Sequence, residues 1–307
     1  MTSAANPPVA LVPNQGWDPR LLICRHDLAY AGFTLPMHVF IIVTERYVVL
    51  VDTLINASTA EALLDIARPH LAGRQLLVAN THADSDHAWG NQYFDGPHSP
   101  APAPIIGTLR CAARLRSAAE QTALAELQAE QPAEYAGVRL VPPSILFDDA
   151  LIIDGGDLTL EFFATPGHTP DHCSICIPEI GLLLAGDAAE QPLPFVGDDG
   201  LSDLRASLER LATLEPRAAF YCHAPLDAGP DLIRANLAYF DRIEARCRAA
   251  LARGAPAQPV ADADLEALVD LPFAAAIPPG AHVERGFYRP GHHAAIRAML
   301  AHLGGAA

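Results

Sequence analysis

The chain has 307 residues, 50% of them hydrophobic and 18% charged, a composition that excludes a disordered segment and provides for a sizeable core. Its formal net charge of −16 excludes a general nucleic-acid partner, because an acidic surface repels phosphate backbones. The sequence contains no lysine, which excludes Schiff-base chemistry and a lysine-dependent phosphate loop.

The first half of the chain alternates short apolar runs with segments of helical spacing. Apolar runs bounded by turn residues predict buried strands, and Ser58 or Thr59 is a suitable N-cap for the first helix. The predicted elements are, in chain order, strands at 38–43 and 47–52, a helix at 58–71, a strand at 76–79, a short helix from 89, a strand at 105–107 and one uninterrupted helix at 109–131.

The second half begins with strands and ends with helices. The predicted elements are strands at 145–147, 150–153, 158–163, 174–177 and 182–184, a helix at 201–214, a strand at 218–222, and helices at 231–253, 264–269 and 292–303. This order predicts an α/β fold, a four-layer αββα sandwich in which two sheets pack face to face between outer helices. We expect one domain over residues 1–230, with residues 231–307 as a helical C-terminal extension packed on it.

The cysteines offer little evidence of chemistry. Cys173 and Cys176 have the spacing of a redox or metal pair, but they lie in an apolar strand and no second pair follows at zinc-site spacing. We interpret the six cysteines as small buried residues in a reducing compartment. A redox or structural-metal role for the pair is the alternative.

Four potential metal ligands follow the strand at 76–79. Two imidazoles, His82 and His87, and two carboxylates, Asp84 and Asp86, lie within six consecutive positions. Histidine commonly binds transition metals, and carboxylates suit harder or borderline ions. The alternative is a polar cluster on a solvated loop, but such a group at a strand end is difficult to explain by packing.

Three later strands run into small loops that also present a potential ligand. His168 follows a Pro-Gly turn, Asp187 follows Gly186, and His223 follows the strand at 218–222. Because strand ends lie along one edge of a sheet, these side chains can converge, and glycines before His168 and Asp187 permit tight bends. Together with the first cluster, they predict a metal site.

The order of these motifs resembles the metallo-β-lactamase superfamily over residues 38–225. That family has a His-x-His-x-Asp-His motif, then a His in a Pro-Gly-His turn, an Asp in a Gly-Asp turn and a last His. The matching positions are His82, Asp86, His87, His168, Asp187 and His223, with Asp52 at the family's early structural aspartate. The family's second histidine is Asp84 here, which is closer to the glutamate of the flavodiiron branch.

The resemblance implies two divalent ions. One ion would take His82, Asp84 and His168, the other would take Asp86, His87 and His223, and Asp187 would bridge them. A metal-bound hydroxide, oriented by Asp86 as the catalytic residue, would attack a carbonyl. The oxygen ligand Asp84 favours iron or manganese over zinc, although zinc also fits the set. Alternatively, Asp84 turns away and only one metal binds well.

Further residues are candidates for contacts around the ions. We predict that Tyr93, His172 and Tyr221 face the substrate, with a position behind the ligands or on the surface as the alternative for His172. Asp52 is predicted to accept a hydrogen bond from a ligand. The loops at 94–104 and 190–200 are predicted to line the pocket mouth. The segment 287–293 either folds back over the site or begins a solvated helix.

Three functions follow from these residues. The first is a metal-dependent hydrolase of a small-molecule ester, lactone or thioester. The second is a non-haem iron oxidoreductase of the flavodiiron or persulfide-dioxygenase type, and the third is a non-catalytic metal-binding protein. No apolar run has the roughly 20 residues of a membrane span, and no signal peptide is visible. We therefore expect a cytoplasmic protein without a membrane partner, and a homodimer is compatible with the sequence.

Overall fold

The computed structural model describes residues 8–30, 33–197, 200–260, 263–278 and 283–305. The chain divides into two compact units. The first unit comprises Met1–Ala164 and Asp171–Gly186, and the second comprises Thr165–Pro170 and Asp187–Ala307. The expected domain boundary after residue 230 stays a prediction.

A seven-stranded sheet begins the first unit. Its strands are, in spatial as well as chain order, β1 (Ala10–Val12), β2 (Leu21–Tyr30), β3 (Phe33–Val43), β4 (Tyr47–Val51), β5 (Gln75–Ala79), β6 (Ile105–Thr108) and β7 (Ile145–Phe147). The pairs from β1 to β4 are antiparallel, whereas β4 to β7 pair in parallel. Parallel strands end at a common edge, so the residues after β4 and β5 lie close together.

A second, antiparallel sheet completes the strands of this unit. The strands of this sheet that lie in the first unit are β8 (Ala150–Asp154), β9 (Thr159–Ala164), β10 (Cys173–Ile177) and β11 (Leu182–Gly186), which pair in that order. The core lies between the two sheets, where Phe147 and Phe162 bring their ring centroids to 6.1 Å. Residues 37–43 are all buried, as is typical of a strand covered on both faces.

The described part of the first unit contains five α-helices. They are α1 (Ala57–Ala67), α2 (Ser85–Ala88), α3 (Leu109–Leu115), α4 (Ala118–Glu130) and α5 (Pro132–Tyr135). The prediction of one helix over residues 109–131 is wrong, because the chain breaks at Arg116 and Ser117. Ser117 Oγ accepts a hydrogen bond from Glu120 N at 3.1 Å and so begins α4 as its N-cap.

The second unit is mainly helical. It contains α6 (Leu201–Thr213), the strand β12 (Ala218–Tyr221), α7 (Asp231–Ala252), α8 (Leu265–Val269), α9 (Phe273–Ala276) and α10 (Arg285–Gly305). The helix α7 contacts both α6 and α10 through its buried face. Among the described residues, no helix combines the length and apolar character that crossing a membrane requires.

The segment 287–293 lies within α10 rather than at the start of a solvated helix. Tyr288 and His292 are buried, and His292 Nδ1 lies 2.9 Å from the Tyr239 hydroxyl on α7. The other ring nitrogen of His292 lies 3.1 Å from Leu271 O. These contacts fix α10 against its neighbours within the second unit.

Candidate metal centre

The first unit gathers four of the predicted ligands at the end of β5. The chain leaves β5, presents His82 and Asp84, and forms the single turn of α2, which carries Asp86 and His87. The ring centroids of His82 and His87 are 3.9 Å apart, and His87 Nε2 lies 3.7 Å from Asp86 Oδ2. Both imidazoles are completely buried, so neither is the solvated loop residue of the alternative interpretation.

Asp52 supports this group from the end of β4. Its Oδ1 accepts from Thr81 N at 2.8 Å, and its Oδ2 lies 2.8 Å from the donating Thr81 hydroxyl and 2.9 Å from His87 Nδ1. A carboxylate facing Nδ1 favours the tautomer that carries its proton there and its lone pair on Nε2. Asp52 therefore orients His87 in the form that a metal ligand requires. The left-handed backbone of Asp52, with φ of +67°, turns the chain here.

A second support reaches the same loop from a distance in the sequence. Asp171 Oδ2 accepts from Ala83 N at 2.8 Å, and Thr108 Oγ1 donates to Asp171 O at 2.9 Å. Asp171 Oδ1 lies 3.3 Å from Arg114 Nη1. The loop between His82 and Asp84 is thus held by a buried carboxylate that the sequence did not indicate as a site residue.

Arg114 on α3 connects three carboxylates of the first unit. Its Nη2 lies 2.5 Å from Asp84 Oδ1, its Nε lies 3.1 Å from Glu120 Oε2, and its Nη1 faces Asp171. Burial raises the pKa of Glu120 above its ordinary value, while Arg114 opposes that change. Asp84 Oδ2 lies 3.4 Å from His82 Nε2, so the two oxygens of Asp84 face different groups.

The second unit brings the other three predicted ligands together. Asp187 Oδ2 lies 3.6 Å from His168 Nε2 and 3.5 Å from His223 Nε2. These residues come from three separate segments, and Asp187 and His223 are buried. This group combines one carboxylate oxygen with two imidazole nitrogens, which are ligand types that transition metals take in proteins.

The turn before His168 depends on glycine. Gly167 has φ of +132°, and a Cβ placed there would lie 2.2 Å from the backbone of Leu204. No larger residue fits this close approach without moving α6. The glycine of the Pro-Gly-His motif is therefore required by its close packing against α6.

Glu190 and Asn236 stand behind His168. Glu190 Oε1 lies 3.2 Å from His168 Nδ1, and Glu190 is buried. Glu190 N donates to Asn236 Oδ1 at 2.9 Å, and Asn236 Nδ2 donates back to Glu190 O at the same distance. Burial raises the pKa of Glu190, while the nearby His168 opposes that change. The sequence did not indicate these roles of Glu190 and Asn236, because 46 positions separate the two residues in the chain.

The predicted substrate-facing residues have structural contacts. The Tyr221 hydroxyl donates to Gly229 O at 2.8 Å, and the Tyr93 hydroxyl donates to Glu61 Oε1 at 3.2 Å. His172 is fully buried, with its ring centroid 5.2 Å from that of His82. Such positions favour support of the surrounding fold, and contact with substrate stays a prediction for all three.

The remaining predictions concern loops and cysteines. The loop at 190–200 includes Asp198 and Asp199, which lie outside the described residues. All six cysteines are free thiols. Burial raises the pKa of Cys173 well above its ordinary value, which disfavours the reactive thiolate and supports the interpretation of this residue as a small core side chain.

Comparison with known proteins identifies the fold. The sequence profile of the metallo-beta-lactamase superfamily matches residues 34–223. A hydroxyacylglutathione hydrolase from Hahella chejuensis (strain KCTC 2396) is 27% identical over 213 residues, which are 64% of this chain and 67% of that protein. The likeness to the relative is weak, so its activity does not transfer to this chain by identity alone.

Two solved structures illustrate the architecture. A metallo-beta-lactamase family protein from Thermus thermophilus has a TM-score of 0.63 and 23% identity, with 94% of each chain covered. A metallo-beta-lactamase from Pontibacter korlensis has a TM-score of 0.58 and 19% identity, covering 75% of this chain and 97% of that one. The predicted α/β fold class, the αββα sandwich with a helical C-terminal region, is confirmed.

Proposed function

The chain belongs to the metallo-β-lactamase superfamily, and on this premise we propose that it is a metal-dependent hydrolase of a small-molecule carbonyl substrate. Thioesters are the first class to test, with esters and lactones next. The observation that carries the proposal is the position of Asp187, whose Oδ2 lies within 3.6 Å of two imidazole nitrogens. Packing alone gives no reason to bury a carboxylate between two histidines.

The donor chemistry fits divalent transition metals. Imidazole nitrogens and carboxylate oxygens are the ligand types that zinc, iron and manganese take in proteins. In the first unit, Asp52 orients His87, and in the second unit Glu190 faces His168 Nδ1. A polar partner behind each histidine is the usual companion of metal-binding imidazoles.

We propose the ligand assignment that the family pattern implies. His82, Asp84 and His168 would hold one ion, Asp86, His87 and His223 would hold the other, and Asp187 would contribute to both. When bound, two divalent ions supply Lewis acidity and lower the pKa of a water molecule toward neutrality.

The protein's own residues then fix the geometry of the attack. Asp86 lies beside His87 and is only partly exposed, so its carboxylate is suited to hold and orient the attacking water. Asp52 keeps the imidazole of His87 in one orientation, and buried Glu190 does so for His168. The rings of His82 and His87 are fully buried, so bulk water does not reach them.

Two observations favour a small thioester as the substrate: the negative net charge of the chain and its similarity to the relative at 27% identity. A chain with a net charge of −16 repels a polyanion as a whole, which favours a small substrate. The relative at 27% identity is named for hydrolysis of an acylated glutathione, and an acyl group on a thiol is a thioester. In the proposed reaction one water is consumed, the carbon–sulfur bond breaks, and a carboxylic acid and a thiol are released.

Released thiol gives a direct test of this proposal. The purified protein is stripped of metal, reloaded separately with zinc, manganese and iron, and incubated with an S-acylated glutathione, an aryl ester and a lactone. We expect metal-dependent release of thiol that is abolished by chelation. No hydrolysis of any substrate with any metal would contradict the proposal.

A second candidate function is favoured by one residue. The carboxylate of Asp84 replaces a histidine of the family pattern, and oxygen donors favour iron. An iron-dependent oxidoreductase would consume oxygen in the iron-loaded form when a reductant such as a persulfide is supplied, without metal-dependent release of thiol from a thioester. An oxygen electrode run beside the thiol assay separates this candidate from the hydrolase, and inactivity in both assays would favour a non-catalytic metal-binding protein.

A further inference from the structure

We propose that Arg114 is a positioning residue for the metal centre, and that the pair of Asp84 and Arg114 takes the place of the neutral histidine in the family pattern. This inference rests on the proposed function because it concerns the same ligands. It deepens that function by assigning a control of metal preference to a residue outside the motifs.

The pair is defined by two contacts of one carboxylate. Asp84 Oδ1 lies 2.5 Å from Arg114 Nη2, whereas Asp84 Oδ2 lies 3.4 Å from His82 Nε2. The oxygen that faces His82 is the one that an ion on His82 would take. With a guanidinium on the other oxygen, binding through both oxygens at once is disfavoured.

The guanidinium is itself held in place. Asp171 and Glu120 bind two further nitrogens of Arg114, at 3.3 and 3.1 Å. Asp171 also accepts from Ala83 N, so the same cluster fixes the backbone beside Asp84. Arg114 is therefore committed to carboxylates of the first unit, which argues against the other obvious role, the binding of an anionic substrate.

The pair of Asp84 and Arg114 adds the same net charge to a metal site as a neutral histidine does. A neutral histidine adds no charge to a metal site, whereas an aspartate adds one negative charge. Arg114 supplies one positive charge, and its contact with Asp84 is shorter than those with Glu120 and Asp171, so Asp84 and Arg114 taken as a pair add none. A carboxylate that shares its charge with a guanidinium is a weaker hard donor than an unpaired one.

Metal preference follows from this balance. Asp84 alone favours manganese or iron over zinc, which is what the sequence predicts from its residue type. Arg114 opposes that preference. We infer that removing the guanidinium shifts the protein toward manganese, and that the shift acts through Asp84.

Metal affinities of the metal-free protein test this inference. Zinc and manganese affinities are measured by competition with a chromophoric chelator for the wild type, Arg114→Met, Arg114→Lys and Arg116→Met. We expect Arg114→Met to raise the manganese-to-zinc affinity ratio at least tenfold, an order-of-magnitude estimate for one unit charge close to the ion. Arg114→Lys keeps the charge and is expected to stay near the wild-type ratio.

The matched control removes the same charge from the same helix end. Arg116 is exposed at the C-cap of α3, and a change to methionine leaves its backbone contacts in place. The Arg116→Met ratio is expected to equal the wild-type ratio within about twofold. An equal shift in Arg114→Met and Arg116→Met would overturn the inference, because the effect would then be general charge.

A double-variant cycle separates positioning from general loss of structure. In an Asp84→Asn background, Arg114→Met is expected to leave the affinity ratio unchanged, since the charge that it neutralises is gone. A full shift in that background, or no shift in the single variant, would contradict the inference. If Arg114→Met does not fold, Arg114→Gln replaces it in the cycle.

The result is distinguishable from failure of the proposed function. If the variants show the predicted affinity ratios but the metal-loaded wild type hydrolyses no thioester, the substrate is refuted and this inference stands. Wild-type protein that takes up neither metal would refute both. Hydrolysis with an unchanged ratio in Arg114→Met would refute this inference alone.

Discussion

The two units build their candidate ligand sets in different ways. In the first unit, four ligands come from six consecutive positions, and residues from distant segments, Asp52, Arg114 and Asp171, hold the loop. In the second unit, the three ligands themselves come from distant segments and meet at Asp187. The difference teaches that the local cluster depends on residues from distant segments for its support, whereas the dispersed candidates themselves come from distant segments and meet at one carboxylate.

We expect the largest effect from a substitution of Asp187, at which the candidate ligands of the second unit meet. Asp187→Ala removes the only group that joins the dispersed set in our account, so we expect loss of bound metal and of thioester hydrolysis to background, with the fold retained. Elemental analysis, a released-thiol assay and circular dichroism measure these three properties. Asp203→Ala, an exposed aspartate on α6, is the control and should keep full metal content. Full activity in Asp187→Ala would rule out the shared role.

The support of the local cluster is tested at Asp52. Asp52→Asn keeps the side-chain size and tolerates the left-handed backbone, but it removes the charge that faces His87. Loss of a partner behind a metal-binding histidine weakens metal affinity by about 10- to 100-fold. Chelator competition measures this change.

The matched control for Asp52 lies in the second unit. Asp270 also has a left-handed backbone, with φ of +53°, and it pairs with Arg246 on the surface. Asp270→Asn should leave metal affinity unchanged. If Asp52→Asn binds metal as tightly as Asp270→Asn does, then the negative charge behind His87 has no part in holding the site.

Asn236 tests whether the dispersed set also depends on support. Asn236→Ala deletes both hydrogen bonds to the backbone of Glu190 and leaves a buried N–H and C=O without that clamp. We expect unfolding to require about 2 kcal/mol less free energy, the cost of buried polar groups that lose their partners. Urea unfolding of the metal-free protein measures this loss, and metal affinity should fall less than in Asp52→Asn. A larger fall in metal affinity than in Asp52→Asn would show that the candidate ligands of the second unit depend more on support than those of the first.

The smallest expected effect lies far from both ligand sets. Burial raises the pKa of Glu266, but hydrogen bonds from Arg289, Phe273 N and His293 outweigh it and lower that pKa to about 2. A lowered folded-state pKa stabilises the protein above the ordinary value of about 4.3, and the stabilisation is lost as the pH falls toward 2. Glu266→Gln should therefore cost on the order of 2 kcal/mol at pH 7 and almost nothing near pH 2.

Unfolding at the two pH values measures the Glu266 effect, and metal content serves as the second readout. Metal binding at pH 7 should be unchanged, because Glu266 acts within the C-terminal helices. A destabilisation that is equal at pH 7 and pH 2 would show that the side chain acts by packing and not by charge.

The predictability of the fold followed the strength of local patterns. The strand at 76–79 is a continuous apolar run and the helix at 201–214 has clear helical periodicity, and the structure contains both as β5 and α6. β2 was not predicted, because the charged run of Arg25, His26 and Asp27 interrupts its apolar pattern. The break before α4 was missed because Ser117 is tolerated in a helix and also caps one, and tertiary packing decides between the two.

The candidate site was predictable where the metal-binding side chains belong to a recognisable sequence motif. All seven proposed ligands were named from the sequence, and each unit brings its own members together. Their supports, Arg114, Asp171, Glu190 and Asn236, carry no motif and act across long separations in the chain. No local signal distinguishes such residues from ordinary surface or helix positions, so only the folded chain identifies them.

The most direct measurement is anomalous diffraction from crystals of the zinc-loaded protein. The account predicts two anomalous peaks separated by roughly 3.5–4 Å, the spacing of a two-metal site, with the carboxylate of Asp187 touching both. No peak at Asp187, or one peak that leaves either His168 or His223 without metal, would contradict it.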